Sequence, residues 1–112
     1  MNHAIYGLRS WLLQRLTAVY LFIYILYFLV NLLFDPWWDY QQWRGWLAHP
    51  AVNIATLLFF AALLLHAWVG LRDIVIDYIQ PLAVRFVALV LIGTALLAMG
   101  GWAFLTLMAV LA

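Results

Sequence analysis

Three stretches of this 112-residue chain are long and apolar enough to cross a bilayer, and they restrict its possible folds more than any other feature. They cover residues 16–34, 51–71 and 86–112. A spanning helix needs about 20 predominantly apolar residues. The first run is interrupted only by Asn31 near its end, and the third is long enough to tilt or to extend past the bilayer. Composition agrees: 71% of residues are hydrophobic and 8% charged, against roughly 25% charged in soluble domains. The mean hydropathy is +1.09. The chain reads as an all-α membrane protein, a single domain over residues 1–112 with three transmembrane helices at about 16–34, 51–78 and 84–111. The first run is too long for the apolar part of a signal peptide, roughly 7–15 residues, and no small-residue cleavage motif follows before Asp35-Pro36. It is expected to be a retained helix.

Residues 35–50 (DPWWDYQQWRGWLAHP) hold four of the seven tryptophans and are bracketed by Pro36 and Pro50. Indoles favour the bilayer interface, so this segment is expected to lie along the headgroups, with a short amphipathic helix as one form it can take. The second connection, residues 72–85, is polar, and its helical part should end before Pro81. Arg9, Arg15, Arg72 and Arg85 fall on one side of the membrane and only Arg44 on the other. The excess of Arg places the N-terminus in the cytoplasm and the C-terminus outside, which in a bacterial inner membrane is the periplasm.

The charged residues are five Arg and four Asp, with no Lys and no Glu. The dispersed Arg form no basic patch for nucleic acid. Absence of cysteine excludes disulfides, thiolate metal sites, iron–sulfur ligation by this chain and cysteine nucleophiles. No catalytic residue stands out.

His66 is the residue most in need of a reason. It is the only ionisable side chain in the second run, and a polar ring at membrane depth demands a partner or a cofactor. Neutral imidazole is a common ligand for metals, including haem iron. Ala62, His66, Gly70, Asp73 and Asp77 follow spacings of four, four, three and four, which put them on one helical face. Small residues on either side of the histidine let a flat macrocycle or another helix approach. His66 lies about 9 Å along the helix from Arg72, in the cytoplasmic half of the membrane. On the pattern alone two readings stand: a haem ligand, or a histidine hydrogen-bonded across a helix interface.

Arg72, Asp73, Asp77 and Tyr78 cluster at the cytoplasmic interface. A phenol beside a carboxylate can donate a hydrogen bond to a quinone carbonyl near a source of protons. The same residues also suit an interfacial ion pair with an anchoring tyrosine. Arg15 can clamp an anionic group through its forked donors, or serve as a positive-inside anchor. Tyr20, Tyr24, Tyr27 and Asn31 form a stripe that should face protein rather than lipid. Gly93, Gly100 and Gly101 suggest close helix contact. His3 and His49 read as solvated or interfacial, with no zinc-type cluster around either.

Residues 66–81, HAWVGLRDIVIDYIQP, closely resemble the second-helix signature of the smaller hydrophobic anchor subunit of bacterial succinate dehydrogenase. That pattern reads roughly His-Ala-Trp-x-Gly, six residues, Asp-Tyr, two more and Pro; His66, Ala67, Trp68, Gly70, Asp77, Tyr78 and Pro81 supply it in register. Arg15-Leu16-Thr17-Ala18 resembles the family's Arg-x-Thr-Ala at the start of the first helix. The resemblance implies a membrane anchor of succinate:quinone oxidoreductase, respiratory complex II, serving the tricarboxylic acid cycle. It implies His66 as one axial ligand of haem b, with the other from the larger anchor subunit (cytochrome b556), and Arg15 at a haem propionate. Tyr78 would hydrogen-bond ubiquinone, with Asp77 beside it. The implied partners are that second anchor, an iron–sulfur subunit and a flavoprotein; FAD and the iron–sulfur clusters reside in the partners, and the heterotetramers gather as trimers. Two departures are Arg72-Asp73, more charged than the pattern leads one to expect, and Arg9, where some relatives carry histidine. The alternative reading is a small homodimeric membrane transporter. It requires a membrane-embedded carboxylate, and all four Asp here fall in loops or at helix ends.

Overall fold

The computed structural model describes the backbone of residues 3–112 and the side chains from Gly7 onward; the side chain of His3 lies outside the described residues. Four helices follow in order: α1 (His3–Phe34), α2 (Tyr40–Ala48), α3 (Pro50–Tyr78) and α4 (Leu82–Leu111). α1 from Gly7 onward, α3 and α4 are each long and apolar enough to cross a membrane, as expected. α2 is the short helix in the tryptophan-rich connection.

The main departure is the start of α1, which begins at His3 rather than near Leu16. Apolar length measures the part of a helix that suits hydrocarbon, not the helix itself. The stretch before Leu16 holds no proline, and seven of residues 3–15 are Leu, Arg, Gln or Ala, all good helix formers. The other boundaries have local causes. Asp39 caps α2 by accepting from the Gln42 backbone N–H at 2.9 Å, while Gln42 Oε1 accepts from the Trp38 N–H at 2.7 Å. Pro50 occupies the first turn of α3, where its missing N–H does no harm. Pro81 disfavours a helical Gln80, so α3 stops at Tyr78 and α4 starts at Leu82. Arg85 then donates to the carbonyls of Ile76 at 2.9 Å and Ile79 at 3.0 Å, which the end of α3 leaves open.

α3 is the middle of the molecule. α1 and α4 each pack against it, α2 covers α3 and α4, and the α1 and α4 backbones make no close approach among the described residues. The molecule measures 50 × 26 × 23 Å, with its long dimension set by the three long helices. On α4, Gly93 faces the Trp68 ring, and a Cβ at Gly100 would come within 2.7 Å of Leu64 Cδ1. Gly101 differs from expectation: nothing stands within 4 Å of its Cβ position, so it serves no close contact here. Of the α1 stripe, Tyr24 is buried and bonds Thr56 at 2.7 Å, and Tyr20 donates to the Ala55 carbonyl at 2.7 Å. Tyr27 is 46% exposed, because it has turned past the α3 contact toward Trp46.

Asn53, 3% exposed, fastens three elements at the α2 end. Its amide donates to the carbonyls of Leu47 on α2 and Leu107 on α4, both at 3.1 Å, beside the small cluster of Leu47, Leu107 and Val110. Asn53→Leu is expected to lower the stability of the detergent-solubilised protein by about 1–2 kcal/mol, since interhelical hydrogen bonds in membranes contribute modestly and two are lost. Thermal unfolding followed by tryptophan fluorescence checks this.

Candidate functional site

His66 lies a little past the middle of α3, facing Thr17 of α1. Its Nδ1 is 3.0 Å from Thr17 Oγ1 on α1, and Thr17 is buried at 7% exposure. Nε2 has no hydrogen-bond partner among the described residues. Gly70, one turn further along α3, admits the Gln14 side chain, whose Nε2 would be 3.6 Å from an added Cβ. The small residue beside the histidine is therefore used by the chain's own α1.

A cleft of about 720 Å³ opens along this contact, lined by Ser10, Trp11, Gln14 and Arg15 on α1 and by His66 and Asp73 on α3. The Arg15 guanidinium stands 5.6 Å over the Trp11 ring, which steadies the long side chain without using its N–H donors. Arg72 reaches Ser10 Oγ at 3.0 Å and Asp73 Oδ1 at 3.3 Å, joining the two helices at the mouth. That ion pair is partly exposed, so its own contribution to stability is small. The cleft thus unites His66, Arg15 and Asp73 from the sequence reading. It combines one imidazole whose Nε2 has no partner, one cation and an orphaned buried acceptor, Gln14 Oε1.

Tyr78 and Asp77 do not line this cleft. Both are exposed at the last turn of α3, with Tyr78 at 80%. Because α3 is continuous through Tyr78, the axial rise from His66 to Tyr78 is about 18 Å. Two separate sites on one helix follow, one between helices and one at its end. His49 is exposed at the α2–α3 junction, as expected.

The larger furrow, about 760 Å³, lies at the α2 end between α1 and α4 and holds none of the predicted site residues. Its hydroxyls are already spent internally: Tyr24 on Thr56, Thr56 on the Val52 carbonyl and Thr106 on the Trp102 carbonyl. Its surface is mainly apolar, and it holds neither a histidine nor a charged side chain, although the Trp46 Nε1 donor is unpartnered.

Sequence reasoning missed Thr17 and Gln14 as site residues. Each is a polar side chain near the apolar start of the first span, and that was the available signal. The Thr17–His66 pairing crosses 49 positions between two helices, and no local spacing encodes it.

Comparison with known proteins shows the family of the chain. Residues 1–100 match the family described as succinate dehydrogenase/fumarate reductase transmembrane subunit. The chain is 35% identical over 92 residues to the succinate dehydrogenase hydrophobic membrane anchor subunit of Coxiella burnetii (strain RSA 493 / Nine Mile phase I), a match covering 78% of this chain and 80% of that protein. The matched region contains the α1–α3 cleft and the end of α3, with three apolar helices holding both in a membrane. The chain belongs to the succinate dehydrogenase/fumarate reductase transmembrane subunit family, as a hydrophobic membrane anchor subunit.

Proposed function

We propose that this anchor supplies half of a haem b site and part of a ubiquinone-reduction site in a bacterial inner-membrane succinate:quinone oxidoreductase. The observation that carries the reading is His66, in contact with Thr17 through Nδ1 and with Nε2 unpartnered, in a cleft that also contains Arg15. A ligating imidazole has one nitrogen bound to an orienting partner and the other free for the metal, which is how His66 is held. When bound there, haem b supplies a one-electron redox centre. Arg15 has its forked donors available for a propionate. The cleft is lined by α1 and α3 and holds no second histidine, which accords with a second ligand from the larger anchor.

Tyr78 is the proposed donor to a quinone carbonyl. Reduction of a quinone to a quinol takes up two electrons and two protons, so a site at the end of α3 suits it. There the phenol can polarise the carbonyl, and Asp77 stands beside it to relay protons from water. The Arg distribution orients this end toward the cytoplasm. The partners are the larger anchor, an iron–sulfur protein and a flavoprotein that oxidises succinate, with trimers of that heterotetramer as the assembly. All four Asp are exposed at loops or helix ends, so the transporter alternative lacks its coupling carboxylate.

Purification of the tagged chain from mild-detergent extracts of its own membranes tests the assignment. Co-isolation of flavin, iron–sulfur protein and succinate-driven ubiquinone reduction is expected. Isolation of the chain alone as a homodimer would favour the transporter.

A further inference from the structure

We infer that Thr17 is a positioning residue for His66: it selects the imidazole tautomer that leaves Nε2 unprotonated and fixes the ring's direction. The inference rests on the proposed haem reading, and it concerns a residue to which neither the motif nor the comparisons give a role.

Thr17 Oγ1 lies 2.8 Å from the Leu13 carbonyl and 3.1 Å from the Gln14 carbonyl, one turn back along α1. Both oxygens can only accept, and a hydroxyl has a single proton to give. Bonding back to the preceding turn is the ordinary habit of a helical threonine. With that proton directed to the backbone, the Oγ1 lone pair faces Nδ1 of His66 at 3.0 Å and can only accept. The single N–H of a neutral imidazole therefore sits on Nδ1, and Nε2 keeps its lone pair. In the opposite tautomer the proton occupies the nitrogen a metal would need. Thr17 is 7% exposed, so water does not compete for the bond. Gln14 packing against Gly70 closes the same stretch of α1 on α3, which keeps the hydroxyl opposite the ring.

Thr17→Val keeps the branched shape and removes the acceptor; Thr17→Ser keeps the acceptor. In the purified complex, Thr17→Val is expected to release haem to apomyoglobin about 10- to 100-fold more readily, the range for losing an orienting partner of a metal ligand. Its remaining haem should have a higher midpoint potential, because an imidazole that donates at Nδ1 is the more basic ligand and favours the oxidised metal. Thr17→Ser should match the wild type in both. An unchanged potential in Thr17→Val, or a Thr17→Ser complex as impaired as Thr17→Val, overturns the proposal. Should Thr17→Val fail to assemble, Thr17→Ala removes the same oxygen without bulk, and an unchanged potential there overturns it equally. Absence of any His66-dependent haem from the wild-type complex overturns the haem reading itself, a failure distinct from a normal haem that ignores Thr17.

Discussion

Tyr78→Phe is expected to lower succinate-driven ubiquinone reduction by about tenfold, the equivalent of one hydrogen bond of roughly 1.4 kcal/mol to the reacting quinone. Succinate oxidation by a soluble artificial acceptor should stay unchanged. The expectation follows from the surroundings of the phenol. Tyr78 is the last residue of α3, is 80% exposed, and its hydroxyl has no partner among the described residues. Removing that oxygen therefore disturbs nothing inside the chain, and the ring's apolar surface is retained. The turn that carries it is held independently by Arg85 on the Ile76 and Ile79 carbonyls. Measuring both activities on one preparation separates the explanations. Equal loss of the two would place the effect on assembly and remove Tyr78 from quinone chemistry.

The spans were readable because hydrocarbon imposes its requirement residue by residue. Each 20-residue apolar run had to become a helix, and Pro50 and Pro81 marked where α3 and α4 begin. The start of α1 was not readable in this way, because its first turns are helical by propensity and fall outside the apolar run. The site divided along the same line. His66 declared itself by being polar at membrane depth, and Tyr78 with Asp77 by closing a polar segment. Arg15 was visible as a charge at a helix start, but its place in the His66 cleft comes from the crossing of α1 and α3. Thr17 and Gln14 showed only as polar residues near the start of the first span, Thr17 within the Arg-x-Thr-Ala match, because their contacts run across two helices and no local spacing encodes them. The glycines show the limit of composition: Gly93 and Gly100 face neighbouring side chains, while Gly101, adjacent in sequence, faces open space.

The physical economy of the chain also explains why it would act in a complex. α3 alone packs closely against both other spans, leaving wide apolar faces uncovered, with Leu33, Leu82 and Leu97 each more than three-quarters exposed. Lipid can cover such faces. A buried cofactor cannot be enclosed by them, so a haem held by His66 needs a second protein wall. The same geometry separates that centre from Tyr78 by about 18 Å along α3, which lets the two sites coexist without overlap.

Ligation of a haem iron by His66 is tested by the visible spectrum of the purified complex. The dithionite-reduced wild-type complex should show b-type α and Soret bands. His66→Ala should abolish those bands, or reduce them to a small residue held by the partner's ligand alone, while the flavoprotein still oxidises succinate with a soluble acceptor. An His66→Ala complex that assembles with an undiminished b-type spectrum would contradict the account, leaving His66 as a histidine that joins α3 to α1 through Thr17 and nothing more.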